Sequence, residues 1–443
     1  IRMDRIRLNE LSRYIRLPYR ISGTASTNIQ LTGQADQPRL DALVSIDKPE
    51  FDTLQWQRFE TRANYRDGEF QMASFLDQPD YRLMNASLAM PWHISLTDTI
   101  EFPSSAQSIE GRIWLDSLSL ENLNPFIKET GFQTAGIFST DIHVSNTIGN
   151  PDIKGNWNIQ KGSINQQELG INYQDLQMEG RINPEQIRLN QLSMQSGKGS
   201  LQVTGYADLD QEKAFQPSYF SVDLSGNNFE ALHSERLETT INSKLNLKGT
   251  PENPEFSGNL EILRSLVNAD AFQEQLALKS DNPNPPLLVQ AMKDTAQISQ
   301  TDTSLTLRDT IIPEQSDFYT NLRGRLEVTI PGNTWVRGKD MNFELKGSLQ
   351  AVKEGEQTDL FGTLHVNRGY YKVYGKRFDF ERGSITLTGG QEINPKLDFV
   401  IVYRFRDPEK ELRKLSLHLT GRARRPAYTF KLDDQALDRK SVV

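Results

Sequence analysis

At 443 residues and 50.5 kDa the chain is too long for one ordinary small domain, and a soft prior of about 150 residues per domain gives roughly three domains or one elongated repetitive body. Its 58 acidic and 50 basic residues leave a net charge of only -8, which excludes the high-charge signature of disorder and the basic stripe of a dedicated nucleic-acid binder. With no cysteine, disulfides, thiolate nucleophiles and Cys-ligated metals are excluded too.

Period-two alternation begins with TNIQLTG at 27–33 and continues through TDIHVSN at 140–146, SLQVTG at 200–205 and KLNLKG at 244–249. It resumes in GRLEVTI at 324–330, MNFELKG at 341–347, FGTLHV at 361–366, RFDFERGSITLTG at 377–389 and KLSLHLTG at 414–421. Apolar residues keep to one parity and polar ones to the other, so each strand has one oily and one wet face. Many runs end at glycine, as at Gly33, Gly205, Gly249, Gly347, Gly389 and Gly421, the residue that tolerates tight turns. A glycine followed by a proline five residues on recurs as Gly33/Pro38, Gly249/Pro254, Gly390/Pro395 and Gly421/Pro426, each opening a new alternating stretch where a missing N–H does least harm. The prolines are unevenly spaced, so this is a recurring turn and not a strict solenoid period.

These signals divide the chain into an N-terminal stretch 1–110 and a central stretch 111–270, then an irregular or mobile excursion over 271–318 and a C-terminal stretch 319–443. A short helix is expected near 122–129, where Asn124 caps, Pro125 opens the first turn, and Phe126 and Ile127 pack. Alternation fades in the excursion, and three prolines interrupt it between Asn282 and Pro286. The longest apolar run is five residues, Phe399 to Tyr403, so no helix here spans a bilayer. The opening IRMDRI and the ending KSVV read as a piece of a longer protein, with any anchor or targeting segment outside it.

Catalytic constellations are missing. His93, His143, His233, His365 and His418 lie 50 or more residues apart and form no ligand spacing, and three of them sit on the wet parity of strands. There is no G-x-S-x-G elbow, and the G-x-G at 197–199 lacks a phosphate-loop lysine. Acidic pairs such as Asp433 with Asp434 read as solvated turns. The sequence therefore points away from an enzyme and offers no cofactor or metal site.

An oily face must be hidden in a sandwich, in a filled barrel or solenoid, or by curling into a groove. The candidates for its lining are Ile142, Val144, Trp157, Ile159, Leu201, Val203, Leu245, Leu247, Leu326, Val328, Met341, Phe343, Leu345, Phe378, Phe380, Ile385 and Leu387. None of these carries a charge or polar hook, a lining that suits acyl chains at about 0.8 kcal/mol per CH₂. The same residues would equally fill an ordinary β-core, and both readings stand on sequence physics. Within PKLDFVIVYRF at 395–405, Val400 and Val402 make the second face apolar as well, so this strand is expected to seek a further partner.

Two blocks carry a family resemblance. GRIWLDSLSLENLNPFIKETGFQTAGIFSTDIHVSNTIGNPDIKGNWNIQKGSINQQELGINYQDLQMEGRI at 111–182 resembles the periplasmic part of the TamB family, the translocation and assembly module proteins of diderm bacteria. LFGTLHVNRGYYKVYGKRFDFERGSITLTGGQEINPKLDFVIVYR at 360–404 is similar to that family's C-terminal signature, with Gly369, Tyr370 and Tyr371, a hairpin, Gly383 and an Asn394–Pro395 turn. The resemblance implies an all-β fold: a long, curled, taco-like sheet forming an elongated groove with an apolar interior. It further implies a periplasmic conduit for phospholipid between inner and outer membranes, anchored in the inner membrane in the full-length protein. Phospholipid acyl chains are the implied ligand. The implied partner is an outer-membrane Omp85-class barrel, TamA- or BamA-like, docked at the C-terminal stretch, where the strand apolar on both faces offers Val400 and Val402 as the expected contact. The alternative is a structural adaptor or chaperone-like factor that assists outer-membrane protein assembly by β-edge pairing.

Overall fold

The computed structural model describes residues 1–11, 21–51, 54–97, 102–210, 215–271, 317–373, 375–390 and 393–436. The protein is all-β, with 24 strands in one unclosed sheet among the described residues. Its contacts divide it into two compact units: unit 1 holds Ile1–Gln166, Asn172–Met194 and Val203–Phe220, and unit 2 holds Gln167–Ile171, Gln195–Gln202 and Ser221–Val443.

Unit 1 is built from β1 (Arg2–Arg7), β2 (Ile21–Gln34), β3 (Gln37–Phe51), β4 (Leu54–Gln55), β5 (Arg58–Arg66), β6 (Glu69–Asp77), β7 (Arg82–Pro91), β8 (Glu110–Ser119), β9 (Phe132–Thr147) and β10 (Asn150–Gln166). Each pairs antiparallel with its neighbour from β1 to β3 and from β5 to β10, while β3 pairs with both the short β4 and β5. Four strands follow, β11 (Ile171–Ile182), β12 (Gln186–Ser196), β13 (Gly199–Asp210) and β14 (Gln216–His233), whose residues are shared between the units.

Unit 2 continues with β15 (Leu237–Thr250), β16 (Asn253–Asn268), β17 (Arg323–Arg337), β18 (Met341–Glu354), β19 (Gln357–Val373), β20 (Lys376–Thr388), β21 (Lys396–Arg406), β22 (Leu412–Arg422), β23 (Arg425–Leu432) and β24 (Gln435–Ala436). All these neighbours are antiparallel except β16 and β17, which run parallel. A parallel pair needs a long crossover, and the connection here takes in residues 272–316. Most of the excursion expected over 271–318 therefore lies outside the described residues.

The recurring Gly-to-Pro turns fall where expected: Gly33 pairs with Pro38, Gly249 with Pro254 and Gly421 with Pro426 across hairpin ends. Other glycines sit inside strands, beneath large neighbours. Gly369 in β19 has φ +141°, and a Cβ there would lie 2.4 Å from the Phe343 Cα. Its bare backbone lets Phe343 of β18 and Phe380 of β20 meet over it, with ring centroids 5.4 Å apart. Such glycines, with the register shifts between Ile330 and Thr334, Glu344 and Leu345, and Phe380 and Arg382, are the devices that bend a sheet. Gly369→Ala is expected to lower stability by about 1–3 kcal/mol from backbone strain alone. Chemical denaturation of the variant beside Gly362→Ala, also at positive φ but over an aliphatic partner, checks this.

The expected helix forms, but as a 3-10 helix over Leu120–Thr130 that begins earlier than the Asn124 cap implied. Pro125 lies inside it, and Asn124 is used otherwise: its Oδ1 accepts from the Thr134 N–H at 2.7 Å while its Nδ2 donates to the Thr134 carbonyl at 2.9 Å. A side chain committed to a neighbouring strand is unavailable as a cap. No residue of this helix is buried.

Candidate ligand-binding face

Pairing register sorts the side chains of each unit onto two faces. In unit 1 the apolar face carries transverse rows. One runs Ala42, Ala63, Met72, Leu88, Gly111, Val144 and Ile153 across β3 to β10, and the next runs Val44, Thr61, Ser74, Ala86, Ile113, Ile142 and Gly155. Trp157 and Ile159 share this parity, and the Trp157 ring lies where a side chain at Gly180 would be. Ile113, near the middle of this face, is 43% exposed, so no second layer packs on it. It was missed in the sequence because Trp114 and Leu115 beside it break the alternation.

Toward one end of this face, residues Trp92–Leu96 run from the end of β7 to the β2–β3 turn. The Trp92 N–H bonds the Gly68 carbonyl, the Ile94 N–H bonds the Tyr65 hydroxyl at 3.0 Å, and the Leu96 N–H bonds the Ala35 carbonyl. Trp92 packs edge-on against Phe70 at 5.7 Å, and Tyr65 is 4% exposed beneath this segment.

In unit 2 the corresponding rows run Leu245, Gly258, Leu326, Ala351 and Leu360, then Ser243, Leu260, Val328, Leu349, Gly362 and Leu387, then Gly347, Leu364, Ile385 and Leu397. Of the seventeen lining residues expected from sequence, all but Leu345 and Phe378 are half-buried. Leu247, Met341 and Phe343 keep the same parity, Phe380 is brought onto the same face by the register shift between it and Arg382, and Leu201 and Val203 lie in β13 on one parity of that strand.

Three features depart from the smooth, uncharged lining. Lys353 is a cation at the apolar parity, opposite Gly324; it is 5% exposed, with its Nζ bonded to the Gly355 carbonyl and 4.2 Å from the centre of the Tyr319 ring. Hydroxyls also cross the face, with Thr239 and Ser265 bonded at 2.9 Å and Thr334 next in register. The third departure is a filled end. Tyr371, Val373, Phe378, Ile401 and Leu417 form a buried cluster walled by Met341, Phe380, Tyr403, Leu415, Tyr428 and Phe430. Phe378, expected to line open space, is 3% exposed within it. Tyr371 is buried enough, with Asp340 nearby, for its phenol to be pushed up to about 12.

The opposite face is charged. Arg112 donates to Asp141 through two nitrogens at 2.8 and 2.7 Å, and this hydrogen bonding holds the Asp141 carboxyl below its usual range. Lys414 meets Glu381 at 3.0 Å and Arg377 meets Asp379 at 2.9 Å. Glu344, which the alternation of MNFELKG puts on the wet face, is instead 3% exposed. Two irregularities meet over it: the shift in β17 brings the Asn333 N–H to 2.9 Å, and the shift in β19 brings Asn367 Nδ2 to 2.9 Å and Arg368 Nε to 2.8 Å. Burial raises the carboxyl pKa, but the hydrogen bonds from Asn367, Asn333 and Arg368 outweigh it and hold the group below the usual range.

Val400 and Val402 lie on this charged face, paired in register with His418 and Ser416. They are 5% and 2% exposed, covered within the chain itself. A partner that reached them would first have to displace their neighbours.

An unclosed all-β sheet with a half-buried apolar face and an ion-paired reverse is built to hold apolar material or to extend by edge pairing, and these features define the class. The chain belongs to the TamB family: residues 190–441 match the TamB C-terminal domain. The match takes in the 360–404 block and the weakly marked region before it; 111–182 lies outside the matched range. No curated protein sequence matches the chain. Membership places it among envelope-associated transport factors for protein or lipid. Among the described residues no helix is long and apolar enough to cross a membrane.

Proposed function

We propose that the protein is a periplasmic conduit for phospholipid between inner and outer membranes, with acyl chains lying on the apolar face. The observation that carries this reading is incomplete burial. In a filled core residues such as Leu326, Val328, Leu349, Leu364 and Ile385 would be sealed, whereas here each stays half-buried and Ile113 stays exposed. A lining with few polar groups suits hydrocarbon, and the headgroup would remain at the open side where water reaches it. In this reading the protein works beside an Omp85-class barrel, TamA- or BamA-like, and is anchored in the inner membrane. The adaptor reading keeps one specific support: β23 pairs with β22 on one side and only Lys431 and Leu432 pair on the other, which leaves most of an edge for β-addition among the described residues.

Lipid transfer tests the two. Purified chain added to donor vesicles with fluorescent phospholipid and unlabelled acceptors is expected to speed exchange in proportion to its concentration. No acceleration, with barrel binding intact, would favour the adaptor.

A further inference from the structure

In unit 1 the strands differ in length in a patterned way. β5 and β6 have 9 residues and β7 and β8 have 10, between β2 and β3 with 14 and 15 and β9 and β10 with 16 and 17. At about 3.3 Å per residue, strands five to seven residues shorter leave a gap of roughly 16–23 Å. Register puts much of this gap on one side: β3 runs on to Phe51 beyond the Asp47–Arg58 pair, with only the two-residue β4 paired to Glu50 and Phe51 at its end, and β9 starts at Phe132, before the Ile137–Ser119 pair.

The 3-10 helix Leu120–Thr130 occupies this notch. Asn124 ties one flank to Thr134 of β9, and the Phe126 ring reaches Phe51 of β3 on the other, centroids 6.4 Å apart. A helix that only plugged a gap would bury its apolar side chains, yet Leu123 and Phe126 are 41% and 44% exposed. It ends at Gly131 in a left-handed conformation, φ 71°. Six residues along β8 from its Ser119 end at the notch, about 20 Å at 3.3 Å per residue, the apolar face presents the exposed Ile113.

We infer that the notch is a lateral portal to the apolar face of unit 1, strapped by this helix, through which a phospholipid acyl chain passes. The proposal rests on the conduit reading. The strap is hinged on β9, where Asn124, the Leu120 carbonyl and the Glu121 carboxylate bond Thr134 and Gly136, and it meets β3 through Phe126 against Phe51, so it can swing away from β3 with the β9 bonds kept, while the exposed Leu123 and Phe126 give an entering chain apolar contact on the way in.

The chain has no native cysteine, so Phe51→Cys with Phe126→Cys introduces a unique thiol pair. A short thiol-to-thiol crosslinker should join it, and the vesicle transfer assay is run on the joined protein and on the same variant capped with a monofunctional maleimide. The joined protein is expected to transfer phospholipid about tenfold more slowly, because a strap that cannot move holds the passage shut, with unchanged circular dichroism. Equal rates for joined and capped protein would overturn the portal and leave the conduit standing. Absence of transfer by joined, capped and wild-type chain alike would overturn the conduit reading itself. Failure of the pair to crosslink in folded protein would overturn the strap geometry. A second variant, Leu123→Ala with Phe126→Ala, is expected to change the transfer rate while leaving the melting curve within error, because neither side chain is buried; an unchanged rate would also count against the portal.

Discussion

Phe378→Asp is expected to destabilise the C-terminal end of unit 2 by about 3–5 kcal/mol or more, the range for removing a buried aromatic before any penalty for an unpaired carboxylate. Phe378 is 3% exposed and packs against Tyr403 at 5.5 Å, so no water reaches an introduced charge. Ile113→Asp should cost far less, within about 1 kcal/mol, because that side chain already meets solvent and its row neighbours include Thr61 and Ser74. The two variants therefore separate what alternation alone joins. A charge at 113 should block lipid movement in a folded protein, and a charge at 378 should unfold the end of the sheet. Denaturant melts of both, with lipid transfer measured on the survivor, check this. Comparable destabilisation at the two positions would mean the face over Ile113 is packed in solution.

The second large effect lies on the charged face. Glu344→Ala strands the Asn333 N–H, Asn367 and Arg368, and is expected to cost about 2–3 kcal/mol. Lys346→Ala, two residues along the same parity and exposed, should cost less than about 0.5 kcal/mol. The cost should depend on pH. The folded Glu344 carboxyl lies below its unfolded value of about 4.3, so its contribution is complete above that pH and is lost as pH falls through the lowered folded value. Stability of wild type and Glu344→Gln measured from pH 7 to pH 3 should converge at the acid end; a gap constant over that range would remove the ionised carboxylate from the account.

The strands and their faces were legible because alternation is a local signal. A side chain two residues along points the same way whatever lies beyond, so Leu326, Val328, Leu345 and Ile385 fall on one face as read. Depth was not legible. Phe378 and Phe380 look alike in RFDF, yet one is sealed and the other half-buried, because burial depends on strands many residues away. Glu344 failed for a related reason: two register shifts, in β17 and β19, turn donors toward an outward carboxylate, and shifts leave no reliable mark in alternation. Lys353 lies outside the alternating runs read at 341–347 and 361–366, yet the register sets it opposite Gly324 and the Tyr319 ring covers it. The helix was found by its proline, but its 3-10 form and its place in a notch between long strands depend on strand lengths that no local pattern records.

The central claim, that acyl chains lie on the apolar face, is tested most directly by placing a photo-crosslinking residue singly at positions 325, 326, 327 and 328 in cells labelled with phospholipid precursor. Leu326 and Val328 are half-buried on the apolar face, and Arg325 and Glu327 are exposed on the other, within the part of β17 that precedes its register shift. Lipid capture should alternate, strong at 326 and 328 and near background at 325 and 327. Capture that is equal at all four positions, or absent at 326 and 328 in folded protein, would contradict the account.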